Sequence, residues 1–373
     1  MKVLVVGAGV AGLGVGLNLG RSGHDVMIIE RANHLRTNGS PIDVRGDAIA
    51  TVRKMGLLDA VLNARISMSQ QSVFVDADGQ VTAQLPWTSR VVSDSDDDIE
   101  IAREDLANIL ADALPSNVAL RMSDSVTSLS EVDEGVDVVF SSGGTGRFDF
   151  VVGADGLHST VRRLTFGPES EYVHHLGCYI AIADLPSGKV SGVSTIYNYP
   201  DHMVGAMGYK DTGLAVFLFR SEPLDYDYHD IDQQRNILAD AYAGHTEWRI
   251  PELLEAAEGD PELYFDSASQ IHMPCWHRGG VVLIGDAAHA ASGLSGRGTS
   301  LALTGADFLA EEVGRSGRDL AAAFKAYESR QRPYVQAGQA IPDGGGLALT
   351  LPDSWEAIHA RNAQIRAAAT DQS

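Results

Sequence analysis

The sequence predicts an α/β fold in which a parallel, doubly wound core carries an inserted antiparallel sheet and ends in a C-terminal helix. Three observations lead to it. Short apolar runs pass through Gly-rich turns into helix-period stretches at three places, beginning at Val3, Val151 and Val281, which is the strand–turn–helix pattern of a parallel sheet. Between the second and third, from about Gly167 to Ser269, the pattern changes to strands joined by polar turns: Gly177–Asp184, Gly192–Tyr199, Met203–Tyr209 and Leu214–Arg220, interrupted by helices over Asp232–Ala243 and Thr246–Ala257. Finally, the break Pro342-Asp343-Gly344-Gly345-Gly346 precedes an Ala-rich helix whose start has Asp353 and Glu356 at capping-box spacing.

In chain order, Val3–Val6 reads as a buried strand and runs into Gly7-Ala8-Gly9-Val10-Ala11-Gly12, with Glu30 closing the next strand, Asp25–Ile29. A Gly-x-Gly-x-x-Gly turn between strand and helix is the Rossmann-like dinucleotide fingerprint. Gly7 allows the tight turn, Gly9 lets backbone approach a pyrophosphate, Gly12 lets helix pack on strand, and a carboxylate about 20 residues on accepts ribose hydroxyls. The rival reading is a secretory signal, since Lys2 precedes fifteen uncharged residues, Val3–Leu17. Five glycines in that run and the immediate βαβ continuation argue against it.

A hairpin follows, Gln71–Val75 and Gln80–Leu85 around Asp76-Ala77-Asp78-Gly79. Arg90–Asp98 is an acidic, Ser-rich stretch in which Asp94, Asp96, Asp97 and Asp98 read as a solvated loop, because no Gly-centred calcium spacing accompanies them. Ile99–Ile101 is a short strand, Arg103–Leu114 a helix, and Leu120–Ser130 and Gly135–Phe140 are extended before Ser141-Ser142-Gly143-Gly144 turns the chain toward Phe148–Val152. The second Gly-rich segment, Val151-Val152-Gly153-Ala154-Asp155-Gly156-Leu157-His158-Ser159-Thr160-Val161-Arg162, comes next. The third follows the apolar run Val281–Ile284 and reads Gly285-Asp286-Ala287-Ala288-His289-Ala290-Ala291-Ser292-Gly293-Leu294-Ser295-Gly296-Arg297-Gly298, opening a helix over Thr299–Val313.

This last segment closely resembles the Gly-Asp motif of the FAD-dependent aromatic hydroxylases, the para-hydroxybenzoate hydroxylase-like monooxygenases. The second resembles their Asp-Gly motif, and the order and separation of all three segments match, so the resemblance covers nearly the whole chain. It implies non-covalent FAD, with NADPH or NADH as a transient reductant bound across the FAD site, because no second nucleotide fingerprint is present. Asp286 would bind the ribityl chain; Gly7, Gly9, Ala11, Gly12, Glu30 and Arg31 would serve the ADP half. Asp155, Gly156 and Arg162 would contribute to pyrophosphate and NAD(P)H contacts. Arg45, in Ile42-Asp43-Val44-Arg45-Gly46-Asp47, and Arg103 match positions near the flavin, although either can instead pair with Asp43, Asp47 or Asp105. Gly293, Gly296, Gly298 and Thr299 would surround the ring, with Gly298-Thr299-Ser300 aiming backbone N–H groups at it. One departure stands out: the family form has Pro where this chain has Gly293. His289 is assigned no base role.

Composition narrows the function further. With 373 residues and 44% hydrophobic content the chain can bury a core large enough for two domains. A net charge of −22, from 28 basic against 50 acidic residues, removes the electrostatic basis for binding nucleic acid or anionic membrane. Cys178 and Cys275 lie far apart without metal-ligand spacing, so no metal is expected, and a reducing cytoplasm is the expected location. No apolar run reaches membrane-spanning length.

The expected domains are 1–70, 99–165 and 276–341 for FAD, 71–98 and 166–275 for a substrate sheet, and 342–373 for linker and helix. The expected function is hydroxylation of a hydrophobic aromatic or polyketide-like molecule through a flavin C4a-hydroperoxide, by a monomer or homodimer. The alternatives are a flavin oxidase, reductase or dehydrogenase on this fold, and a flavoprotein that binds a small molecule without turnover. Tyr197, Tyr199, Met203, Met207, Tyr209, Phe217 and Phe219 alternate on the inserted strands as pocket lining or as plain core.

Overall fold

The structure is a computed structural model that describes residues 1–35, 41–66, 71–85, 98–190, 192–209, 212–340 and 346–370. Asp94, Asp96 and Asp97, the break at Pro342–Gly345 and the Tyr209 side chain lie outside the described set.

Lys2–Val6 is the centre of a six-stranded sheet. It pairs in parallel with Phe150–Gly153 on one side and Asp25–Ile29 on the other. Val281–Leu283 and Val118–Arg121 extend the parallel order outward, and His277–Arg278 forms an antiparallel edge. Val3, Leu4, Val5, Val151 and Val152 have no exposed surface, as expected of parallel strands covered on both faces. The helix Val10–Arg21 packs on Gly298–Ser316, where a Cβ added to Gly14 would stand 3.2 Å from Ala306 Cβ. The helix Leu320–Gln339 packs on Gly298–Ser316 in turn. A ribbon of Ile42–Val44 and Ile99–Ile101, antiparallel, lies against Gly298–Ser316.

The second large element is a seven-stranded sheet in the order Tyr264–Ile271, Val173–Leu185, Thr212–Arg220, His202–Tyr209, Val193–Tyr199, Gln71–Val75, Val81–Leu85. The expected antiparallel sheet is present with one exception: Val193–Tyr199 pairs in parallel with Gln71–Val75, which adds the early hairpin to the inserted strands. Alternation divides the side chains cleanly between two faces. Tyr179, Tyr197, Tyr199, Phe217 and Phe219 share a buried cluster with Leu238, Tyr242 and Leu253 of the helices Ile231–Ala241 and Ile250–Gly259. Cys178, Ile180, Ile182, Met203, Met207, Val216 and Leu218 face the other way, toward Leu294 and the C-terminal residues Leu347, Leu349 and Leu351.

Three expected boundaries move. The extended run Leu120–Ser130 is two strands, Val118–Arg121 in the core and Val126–Val132 in a small three-stranded sheet. The break lies at Ser123, with φ +59°, and at Asp124, whose buried carboxylate accepts from Ser141 Oγ, Ser142 Oγ and two backbone N–H groups. The second inserted helix starts at Ile250 rather than Thr246, after Trp248 turns at φ +50°. The C-terminal helix is capped by Ser354, whose Oγ accepts from Ala357 N–H at 3.2 Å, and not by Asp353. No helix among the described residues is long and apolar enough to cross a membrane.

Candidate functional site

The three Gly-rich segments meet at the C-terminal ends of the central strands, where ligands of open parallel sheets lie. Gly7 turns at φ +105°, and a Cβ there would fall 2.4 Å from the Ala154 carbonyl oxygen of the second segment. A Cβ on Gly12 would fall 1.9 Å from Gly7 O, and one on Gly285 would fall 2.8 Å from Ala11 Cβ. These contacts knit the first segment to the second and the third. Gly9 differs from its neighbours: it is exposed, nothing lies within 4 Å of an added Cβ, and it starts its helix without a side-chain cap. The helix therefore starts at an exposed, uncapped backbone position, and uncapped helix starts are where anions bind.

Glu30 accepts from Ala8 N–H at 2.8 Å and from Ala32 N–H at 3.0 Å. These two bonds fix the carboxylate beside the fingerprint and leave lone pairs for hydroxyl donors. Arg31 is exposed, with its guanidinium 2.5 Å from His229 Nε2. Burial and the neighbouring Arg31 charge lower the pKa of His229.

In the second segment, Gly156 turns at φ +79° with open space around it, while Asp155 faces inward. The Asp155 carboxylate accepts from Ser159 Oγ at 2.5 Å and Val161 N–H at 3.0 Å, and desolvation raises its pKa. It braces the start of the helix Thr160–Thr165, which Ser159 caps by accepting from Arg162 N–H. Arg162, expected at the cofactor, is instead fully buried. Its guanidinium donates to Ala287 O, Leu157 O and Glu169 Oε2 at 3.0, 2.6 and 2.6 Å, tying the second segment to the third.

The third segment carries Asp286 at the start of a short helix, Asp286–His289. Solvent reaches this carboxylate, yet protein surrounds it, so desolvation raises its pKa while the Arg103 charge opposes the rise. Gly298 begins the long helix with its missing side chain pointing at Asp286 Oδ1, 3.9 Å from where a Cβ would be. Gly296 is left-handed, at φ +61°, and Gly296, Gly298 and Thr299 are all half-buried. Gly293 is exposed and faces the sheet, where a Cβ would meet Ile180 Cδ1 at 3.6 Å. The turn is held without proline by Ser292, whose Oγ accepts from Leu294 N–H. His289 points away from this groove: it is buried against Trp276, ring centroids 4.6 Å apart, and burial depresses its pKa to about 3. Its burial against Trp276 makes His289 a packing residue of this region.

Arg45 is buried and paired with Asp43 at 2.6 Å, with Asp98 at 3.8 Å, so the carboxylate partnership weighed from the sequence is present. Ser300 accepts from Arg45 N–H at 3.0 Å and stitches this ribbon to the first turn of the Gly298 helix. Across the ribbon from Asp43, Glu100 is pushed up to about 7 by desolvation and the Asp43 charge. Neither Glu100 nor the His158 cluster carried a sequence signal, because their partners come from distant strands. His158 lies between Glu169 at 2.9 Å and Asp266 at 3.2 Å, is stacked on Tyr228 at 4.1 Å, and is raised to about 9 by these carboxylates against desolvation.

Residues 1–339 match the FAD binding domain family. A flavin-dependent monooxygenase of Legionella longbeachae is 32% identical over 344 residues, covering 91% of this chain and 87% of that protein. The FAD-dependent monooxygenase asL6 of Sarocladium schorii is 29% identical and covers 92% of this chain and 87% of its own. The crystal structure of tetracycline destructase Tet(51) superposes with a TM-score of 0.86 at 32% identity, covering 98% of this chain and 95% of that one. A family match that spans residues 1–339 and a flavin-dependent monooxygenase 32% identical along most of both chains show that the chain belongs to the FAD binding domain family and is an FAD-dependent monooxygenase.

Proposed function

We propose that this enzyme uses NAD(P)H and O2 to hydroxylate a hydrophobic aromatic or polyketide-like molecule held between the Gly293–Ser295 turn and the aliphatic face of the seven-stranded sheet. The observation that carries the proposal is the closure of that face on the turn. Leu294 packs in one apolar cluster with Ile180, Ile182 and Met207, and Gly293 adjoins Ile180. A flat, apolar substrate would be desolvated there, while its reacting carbon would lie toward the cofactor groove.

FAD, when bound, would accept hydride from NAD(P)H and supply the chemistry that transfers one oxygen atom from O2 to the substrate. The chain's own residues bind and orient it. The Gly9, Ala11 and Gly12 N–H groups hold the pyrophosphate, with Gly7 shaping the turn, Glu30 receives the ADP ribose and Arg31 lies at that end. Asp286 would receive the ribityl chain, its pKa raised by desolvation against the opposing charge of Arg103. The N–H groups at Gly298 and Thr299 stabilise negative charge at the ring, Gly296 gives the backbone room to approach it, and Arg45 holds the ribbon against it. Asp155 and Gly156 shape the groove wall. The division into 1–70, 99–165 and 276–341 against 71–98 and 166–275 assigns cofactor to the first set and substrate to the second.

Likeness to a tetracycline destructase favours a fused-ring phenolic substrate, and the relatives from Sarocladium favour natural-product chemistry. Gly293 favours one rival, an oxidase or dehydrogenase on the same scaffold, because a turn without the family's proline is less stiff. Oxygen uptake and NADPH consumption with tetracycline and related phenols decide between them. Product one oxygen atom heavier supports the proposal, while substrate-independent peroxide release or oxygen-independent substrate oxidation supports the rival.

A further inference from the structure

The helix Leu320–Gln339 meets the edge strand that precedes the third Gly-rich segment, and there Cys275, His277 and Glu328 come together. Cys275 Sγ, a ring nitrogen of His277 and a carboxylate oxygen of Glu328 all lie within 4.8 Å of one another, with His277 Nε2 3.9 Å from Glu328 Oε2. We propose that these three side chains bind a borderline-soft divalent cation, Zn2+ in particular, which fastens the edge strand to that helix.

The sequence offered no metal pattern because Glu328 comes from a separate helix. Cys275, in the loop, stands two residues before His277 of the edge strand His277–Arg278, and the turn of that loop brings their ligand atoms within 4.8 Å of each other. Their chemistry is a thiol, an imidazole and a carboxylate, which is a zinc ligand set rather than a calcium or magnesium one. All three residues are half-buried, so an ion reaches them from solvent and a water completes a tetrahedron.

The supporting shell is already in place. Glu328 Oε2 accepts from Trp276 N–H at 2.9 Å, and Arg332 Nε donates to Oε1 at 2.9 Å. Arg332 also donates to Met273 O and Pro274 O, at 3.2 and 2.7 Å, and lies 4.6 Å over the Trp276 ring. The loop before the edge strand is thus clamped around the carboxylate, the role second-shell groups have in metal centres. Closing the three atoms onto one ion at the usual bond lengths needs shifts of roughly an ångström. Cys275 Sγ now donates to His277 O at 3.2 Å, and burial raises its pKa. On binding, the Cys275 S–H bond breaks, its proton passes to solvent and an S–Zn bond forms, with no electron transferred.

The test uses the full-length, FAD-loaded enzyme stripped with a chelator and titrated with Zn2+ in competition with a chromophoric chelator. Co2+ serves as a spectroscopic substitute in the red, beyond flavin absorption. The expected result is one ion per chain, a raised thermal midpoint, tetrahedral Co2+ bands, no response to Ca2+, and affinity at least tenfold weaker in both Cys275→Ser and His277→Gln. If Cys275→Ser does not fold, His277→Gln decides alone. Absence of stoichiometric Zn2+ binding, or binding unchanged in the variants, overturns the proposal. Flavin content and turnover are separate readouts, so this result does not depend on the substrate reading.

Discussion

On the helix-covered face of the seven-stranded sheet, the side chains are large and aromatic: Phe217 is completely buried, Phe219 is 4% exposed, and Tyr242 donates its hydroxyl to Met203 O and Leu218 O. On the opposite face they are mostly aliphatic: Cys178, Met203 and Leu218 are just as buried, while Ile180, Ile182 and Met207 are only partly buried. A well-packed aromatic layer contributes stability and admits no ligand. Partly buried aliphatic side chains beside an exposed glycine turn leave some apolar surface within reach of a guest. The sheet is therefore covered on both faces, by two helices behind and by the C-terminal residues in front, with its least covered front residues beside the Gly293–Ser295 turn.

The largest effect expected is on the helix-covered side. Phe217→Ala should cost about 3–5 kcal/mol in denaturant unfolding and leave KM unchanged in the protein that remains folded. Ile182→Ala on the front side should cost only about 1–2 kcal/mol while raising the substrate KM. Equal stability losses, or a KM change in Phe217→Ala alone, would break the comparison.

The groove facing the front side comes next. Asp286→Ala should weaken FAD binding by about 1.5–3 kcal/mol, the usual loss for a hydrogen bond to a charged acceptor, measured by flavin fluorescence on titration. Glu30→Ala should lose a similar amount, because its carboxylate also holds Ala8 N–H. Undiminished affinity in both variants would remove this groove as the cofactor site.

A third experiment tests the seam between core and sheet. His158 joins the second Gly-rich segment to Asp266 of the sheet, and its folded pKa of about 9 lies above the usual histidine value of 6.5. Its stabilisation is complete below about pH 6.5 and is lost as pH rises through about 9, a contribution on the order of 1–3 kcal/mol. Unfolding followed from pH 6 to 10 should show this loss, and His158→Gln should flatten it. The smallest effect belongs to Gly293→Pro. Because an added Cβ meets only Ile180 at 3.6 Å, FAD binding and stability should change by less than about 1 kcal/mol while coupling of NADPH use to product improves.

Much of the frame was legible because the chain states it locally. The strand Val3–Val6 and its glycine turn, the segment at Gly285 and the helix after Gly298 each follow from a few contiguous residues. What escaped depends on contacts between distant parts. Nothing near Gln71 marks it as the parallel partner of Val193, and nothing in Arg162 distinguishes a cofactor ligand from a strut bonded to Ala287 O. Alternation announced two faces to the inserted strands, but only the packed structure shows that helices cover the face of Tyr197 and Phe217 while C-terminal residues cover the other.

The central claim is most directly tested by turnover of the FAD-loaded enzyme with NADPH and a fused-ring phenol such as tetracycline under oxygen-18 gas. The account predicts one oxygen-18 atom in each product molecule, with turnover lowered in Ile180→Ala and preserved in Tyr197→Phe. Product labelled only from water, or NADPH oxidation that yields hydrogen peroxide and no oxygenated product with any such substrate, would contradict it.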